Sequence, residues 1–309
     1  MDFGAHLPLI SFQGERRSLD DLIRYTQTAS SLGYTYLCAN DHLASALPWL
    51  DGPTALAAVI AHSGDMRLAT TICLPVVRGP APAAKLLAAI DLLSGGRLVV
   101  GAGPGSRATD HNLVGLDYKE RWQRLEESIH ALRAYFGAGD FEGKFYSTLG
   151  QRFEPRPAQE PAPPIWLGIW GAKGGLRRTA SLADGWLASG YHTSPDNFAE
   201  SLQALGPQLR ECGKDPATFP NGIATMWSYV TDSEEEARRM LEQVLGPILD
   251  QPPESLRRKL PIGSPEQCAE RLRPYRKAGA QRIFIWPLAD ETRQLELFQE
   301  QVVPLIEQD

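Results

Sequence analysis

Short apolar runs and amphipathic stretches alternate along the whole chain. Strand-like runs fall at Asp2 to Leu7, Thr35 to Ala39, Arg67 to Cys73, Arg97 to Gly101, Ile165 to Gly168, Gly185 to Ala188, Gly222 to Val230 and Arg282 to Trp286. Their apolar character is continuous, as expected of strands covered on both faces. Between them, apolar residues recur at i, i+3 and i+4. Leu19, Leu22, Ile23, Thr26, Ala29 and Leu32 form one such stripe, opened by Ser18 as an N-cap and ended at Gly33. Further helices are predicted over Pro53 to His62, Pro82 to Leu93, Lys119 to Phe136, Gly174 to Ala183, Pro195 to Cys212, Glu234 to Leu249, Pro265 to Ala278 and Glu291 to Ile306.

Strict alternation of strand and helix points to a parallel sheet wrapped in helices, and eight repeats close into a (β/α)8 TIM barrel. The expected fold class is therefore α/β, with one domain over residues 1–309. Two segments read as insertions: Gly137 to Pro164, rich in Gly, Pro and aromatics, and Gln251 to Gly263 before the last helix and strand pair. No helical periodicity is visible between Gly101 and about Tyr118.

The stretch "RLVVGAGPGSR", Arg97 to Arg107, tests the alternative of an open dinucleotide-binding sheet. That fold needs glycine at the first, third and sixth positions and a helix opening at once. Gly101 and Gly103 fit, but the sixth position is Ser106 and Pro104 interrupts the turn. The segment is not a nucleotide loop of that kind.

Composition narrows the picture further. The chain has 43% hydrophobic and 22% charged residues, enough apolar material for a large core, and a net charge of -6 that argues against nucleic-acid or membrane binding. The N-terminal stretch lacks the basic and apolar regions of a secretory signal, and no run of about twenty apolar residues occurs, so a cytoplasmic location is expected. Cys38, Cys73, Cys212 and Cys268 have no paired spacing and suit reduced structural thiols rather than a zinc site. No bound metal is expected.

In parallel barrels the chemistry sits just beyond the C-terminal ends of the strands. Reading those positions gives His6; Asn40, Asp41 and His42; Thr71 to Pro75; Gly103 to Asp110; Ile169 to Gly175; Ser189 to His192; and Trp286. His42 has the proton affinity for acid–base work near neutral pH. His6, Ser106, His192 and Trp286 are candidates to line a substrate pocket, with Trp49 and Trp170 as further aromatic walls. Free N–H groups at the helix start after "GIWGAKGG", with Lys173, would favour an anion. A barrel hydrolase would need paired carboxylates, and Asp41 with Asp110 is the pair available.

Four blocks, "YTYLCANDHL", "PTALAAVIAHSGDMRLATTICLPVVRGP", "DLLSGGRLVVGAGPGSR" and "PPIWLGIWGAKGGLRRTASLADGWL", resemble the bacterial luciferase-like superfamily of flavin and deazaflavin oxidoreductases. The likeness runs from about Asp2 to Trp286. It implies a TIM barrel and, through the acidic residue and histidine at Asp41 and His42, the F420-dependent branch. There His42 and Asp41 would be the catalytic residues, His42 handling the proton of a substrate hydroxyl and Asp41 standing beside it, also in contact with the cofactor. The resemblance further implies that Thr71 and Ile72, joined by a cis peptide, prop the cofactor ring, with Gly103 passing close to it. Gly168, Gly171, Ala172 and Lys173 would hold the cofactor's phosphate. Ser106 stands where a sugar-phosphate dehydrogenase of that group has glutamate, so its substrate does not carry over. The alternatives are an FMN-dependent monooxygenase, served by a separate reductase, and a flavin-binding protein without turnover. A homodimer acting on a small molecule is expected from the resemblance.

Overall fold

The computed structural model describes residues 1–307 except 13, 15 and 172. Ala172, one of the expected cofactor contacts, lies outside the described residues. Among the described residues nine parallel strands form the sheet: β1 (Asp2–His6), β2 (Tyr36–Ala39), β3 (Arg67–Thr70), β4 (Leu98–Ala102), β5 (Ile165–Gly168), β6 (Gly185–Ser189), β7 (Asn221–Val230), β8 (Ile262–Gly263) and β9 (Arg282–Pro287). Neighbours run β1 to β7 in chain order, β9 bonds both β1 and β7, and β6 pairs with β7, which closes a barrel of eight strands. The predicted strands are all present.

Short β8 stands apart, pairing only with Tyr229 and Val230 at the far end of β7. It follows a helix, Pro253–Lys259, so the segment Gln251 to Gly263, expected as an insertion, contains a helix and a short strand. Proline at the start and Arg257, Arg258 and Lys259 in the last turn favour that helix although it carries little apolar periodicity. The other insertion, Gly137 to Pro164, holds a single antiparallel bridge between Glu142 and Ser147. Glu127 ties it down by accepting the N–H groups of Lys144, Phe145 and Tyr146.

Two helices begin at side-chain caps that the sequence shows. Ser18 and Ser264 each form a reciprocal capping box, with Asp21 and Gln267. Two cores result. One lies between sheet and helices; the other fills the barrel interior with Tyr36, Cys38, Ala69, Val99, Trp166, Leu187 and Phe284. Tyr36 and Trp166 sit near the starts of β2 and β5, so bulky rings plug the N-terminal end. Any ligand space must open at the other end.

Candidate functional site

A cavity of about 220 Å³ opens at the C-terminal mouth. Asn40, Asp41 and His42 after β2, Thr71, Ile72 and Leu74 after β3, and Pro104 to Ser106 after β4 form one side. Gly168 to Trp170, Leu187 to Ser189, Tyr191, Ala224 and Thr225 form the other, while Tyr118, Arg121 and Trp122 close the rim. Of the sequence candidates, Asp41, His42, Thr71, Ile72, Ser106 and Gly168 thus meet at one cavity.

Asp41, after β2, and Asp110, after β4, are held differently. Asp41 is buried and accepts from Leu74 N–H at 3.1 Å and from Arg78 Nε and Nη2 at 2.6 and 2.7 Å. Arg78 also bonds Asp51, the N-cap of the helix Gly52–Ala58. Hydrogen bonds and charge from both acids outweigh burial and raise the Arg78 pKa. The Asp41 carboxylate therefore locks the β2 loop to the turn after β3.

His42 Nδ1 lies 2.9 Å from Asp110 Oδ2, and Asp110 Oδ1 accepts from the N–H groups of Leu43 and Ala44 at 3.2 and 2.9 Å. Burial alone would raise the Asp110 pKa, but the bonds from His42 and Ala44, with the charges of His42 and Arg107, hold it below the ordinary carboxylate value. An ionised carboxylate only accepts, so Nδ1 carries a proton and Nε2 is left as the ring's basic nitrogen. The His42 side chain is 15% exposed, and Trp49 packs edge-on at 4.9 Å. With Asp41 and Asp110 both engaged in this way, the paired-carboxylate arrangement of a hydrolase is absent among the described residues.

Asp110 acquires this role from a helix that the sequence pattern did not show. Ala108–Leu113 is helical, with Asp110 and His111 buried. Six residues with inward-facing polar groups give no apolar periodicity, because side-chain bonds rather than apolar burial fix the turn. The acidic residue in its first turn is the one local signal.

Gly103 of "GAGPG" and Gly168 after β5 have a structural explanation. A Cβ on Gly103 would lie 2.0 Å from Ile72 Cδ1, and one on Gly168 would lie 2.6 Å from Ile72 Cγ2. These two glycines make room for the Ile72 side chain, which follows a cis Thr71–Ile72 peptide. The close approach is to Ile72, within the protein.

Other candidates lie elsewhere. His6 is fully buried, stacked on Trp286 at 3.4 Å, and Trp286 stacks on Trp227 at 3.9 Å; neither His6 nor Trp286 lines the cavity. Burial drives the His6 pKa down to about 3, a bond to the Leu7 carbonyl opposing it only in part. His192 sits behind the lining, its Nδ1 3.2 Å from Ser189 Oγ and its ring stacked at 3.9 Å on Trp170, which is 53% exposed. Burial, with the Lys259 charge, lowers its pKa to about 4. Gly171 and Lys173 stand at the start of the helix Lys173–Leu182, outside the lining, although Gly175 of its first turn belongs to it.

Arg121 had not been singled out. It is the only lysine or arginine among the described lining residues, its guanidinium lies 4.0 Å from the Tyr118 ring centre, and it donates to the Tyr118 carbonyl. None of its nitrogens forms an ion pair with a carboxylate among the described residues. It opens the helix Arg121–Arg133, where a cation opposes the helix dipole, so helix stability does not account for it.

The structure is an eight-stranded parallel barrel with a His42–Asp110 pair at its C-terminal mouth. The chain belongs to the luciferase-like monooxygenase family, whose family model matches residues 4–250. It is 29% identical over 241 residues to an F420-dependent hydroxymycolic acid dehydrogenase of Mycobacterium tuberculosis, covering 72% of this chain and 63% of that protein. It is 30% identical over 194 residues to an FMNH2-dependent dimethylsulfone monooxygenase of Pseudomonas putida, covering 61% of this chain and 51% of that one. The chain thus spans less than two thirds of either relative. Among solved structures, monooxygenase RslO1 of Streptomyces bottropensis shares the fold, with a TM-score of 0.87 at 21% identity over 98% of this chain and 99% of that one. Relatives of this chain are oxidoreductases and monooxygenases that use F420 or FMN.

Proposed function

We propose that this chain is an F420-dependent oxidoreductase that exchanges a hydride with a small organic alcohol or carbonyl compound. The observation that carries the reading is His42 at the cavity wall, its Nδ1 fixed by Asp110. Nε2 takes the hydroxyl proton when an alcohol carbon is oxidised and returns it to the carbonyl oxygen in reduction. Asp110 keeps the ring in the tautomer that this needs. Asp41 acts indirectly, holding the loop through Arg78.

The cavity suits a planar heterocycle with polar edges. Asn40 Oδ1 and Thr71 Oγ1 are buried in its wall; the first has no hydrogen-bond partner among the described residues, and the second has only the Cys38 thiol beside it. Buried polar atoms of this kind are normally paired, and a bound ring can supply the partners. Ile72, supported by Gly103 and Gly168, would lie against the ring. Arg121, Gly168, Gly171 and Lys173 would hold the cofactor's anionic part, Arg121 by charge and the helix start by its free N–H groups. When bound, the deazaflavin supplies two-electron hydride exchange. The chain's own contribution is position, exclusion of water and the proton at His42.

The 30% identity to an FMNH2-dependent enzyme supports a second reading, an FMN-dependent monooxygenase supplied by a separate reductase. Calorimetric titration of the protein with F420 and with FMN, at equal salt and pH, separates the two. The first reading expects the tighter binding for F420; a clear preference for FMN moves the monooxygenase to first place, and binding of neither by folded protein overturns both. If His42→Gln binds the preferred cofactor and turns over as well as the wild type, the proton role fails.

A further inference from the structure

Strand β7 carries a residue in a conformation that its side chain disfavours. Thr225 has φ +54°, in the left-handed region that a β-branched side chain rarely enters. The pairing of β7 with β9 passes from Ile223 and Ile283 to Met226 and Ile285, so β7 holds one residue more than its partner over this interval and bulges. The end of β6 packs against the bulge. Gly190 N–H donates to the Ala224 carbonyl at 2.8 Å, and a Cβ on Gly190 would lie 3.1 Å from Met226 Cα. Backbone strain of this kind persists only where the surroundings hold it, and it gathers at sites that grip ligands.

The bulge places Thr225 in the cavity wall, half-buried, and its hydroxyl has no hydrogen-bond partner among the described residues. Ser189 stands next to it, because Ser189 pairs with Ala224 across β6 and β7. Ser189 also lines the cavity, and its Oγ lies 3.2 Å from His192 Nδ1. The His192 ring is itself held, stacked at 3.9 Å on Trp170 and tilted against Tyr191 at 4.1 Å. A hydroxyl both donates and accepts, so the bond to His192 orients Ser189 and leaves it capacity toward the cavity.

Around the closed ring, β6 lies four strands from β2, and β7 lies four strands from β3. The two hydroxyls therefore stand across the mouth from His42 and Ile72. Their surroundings offer a ligand no charge. His192 is neutral, burial above all having lowered its pKa to about 4, and Lys259 donates to the Tyr191 carbonyl at 3.1 Å. Arg121, the one lysine or arginine among the described lining residues, belongs to the rim. We propose that Ser189 and Thr225 form a neutral subsite for a second hydroxyl group of the substrate, one remote from the carbon that reacts at His42. This rests on the reading of His42 as the group that meets the reacting oxygen. A hydroxyl on the ligand can answer either role of each protein hydroxyl, which a purely accepting group cannot. Asn40 and Thr71, on the opposite wall, are left for the ring.

Matched pairs of alcohols test the subsite by binding alone: cyclohexanol against cyclohexane-1,4-diol, and butan-1-ol against butane-1,4-diol. Each is titrated into protein saturated with whichever of F420 and FMN it binds, or into the protein alone if it binds neither. Threonine methyl groups are isotope-labelled for NMR, and the Thr225 signal is assigned by its loss in Thr225→Ser. The expected result is that at least one diol shifts that signal and binds about fivefold or more tighter than its mono-alcohol, the factor of one net hydrogen bond. Thr225→Val keeps the shape and removes the hydroxyl, so it should lose most of the preference and hold its mono-alcohol affinity within about twofold of wild type. Thr225→Ser should keep the preference, and Ser189→Ala should reduce it. The proposal is overturned if neither diol is preferred, or if Thr225→Val weakens the mono-alcohol as much as the diol, which marks a packing role. It is overturned too if the preference survives in Thr225→Val or, should that variant not fold, in Ser189→Ala. Failure of the F420 reading would appear in the cofactor titration instead, with the diol preference intact.

Discussion

Replacing Asp110 by Asn is the sharpest test of the histidine pair, because it keeps size and shape and changes one charge. In the wild type the carboxylate accepts three N–H groups, from His42, Leu43 and Ala44. The asparagine oxygen can keep the two backbone donors, which leaves its NH2 facing His42 Nδ1. Two donors cannot share that contact, so the imidazole proton moves to Nε2 and the basic lone pair turns away from the cavity. The charge-assisted bond at Nδ1 is replaced by a neutral one of reversed direction, a loss of about 1 kcal/mol of stability. General acid–base catalysis supplies about 10²- to 10⁴-fold, so kcat should fall by at least about 10²-fold while cofactor affinity stays within about twofold. The sign of the pH dependence follows from the lowered Asp110 pKa. A carboxyl with a depressed folded-state value stabilises above its ordinary titration range and loses that contribution as pH falls through the folded value. The stability gap between wild type and variant should therefore hold at neutral pH and close only below about pH 4. Urea unfolding across pH measures the gap, imidazole NMR reads the His42 tautomer, and steady-state kinetics reads the rate. A variant that keeps the proton on Nδ1, or turns over within threefold of wild type, would refute the account.

Two further predictions concern the surroundings. His6 is neutral when folded and ordinarily protonates near 6.5, so unfolding becomes easier as pH drops below 6.5, by up to about 1.4 kcal/mol per unit until the folded value of about 3. His6→Phe keeps a ring against Trp286 but cannot titrate, and its urea midpoint should fall less steeply than the wild type's between pH 6.5 and 4; parallel curves would count against buried neutral His6. Gly103→Ala drives a methyl into Ile72 and should cost about 1 to 3 kcal/mol, most of it recovered in the Gly103→Ala, Ile72→Ala double variant relative to the sum of the singles. Additive effects in thermal unfolding would show that the glycine serves something other than Ile72.

Hydrophobic periodicity alone determined the architecture. Eight apolar runs separated by amphipathic stretches admit few arrangements, and barrel closure follows from the parallel alternation. The same pattern located the mouth, and with it Asp41 and His42, because strand ends can be counted from the strands. What the pattern could not yield is pairing between residues distant in sequence. Asp41 reads like a catalytic acid until Arg78, 37 residues away, is seen to take up its carboxylate. His42 looks solitary until Asp110, 68 residues away, meets it from a helix held by polar bonds that leave no trace in apolar spacing. His6 and Trp286 fall at the ends of β1 and β9, within the strands rather than beyond them, and they stack on each other in the packed core rather than facing the cavity. A side chain beyond a strand end is aimed by its loop, and the loop is fixed by hydrogen bonds and close packing across the barrel mouth. Those contacts exist only once the barrel has closed.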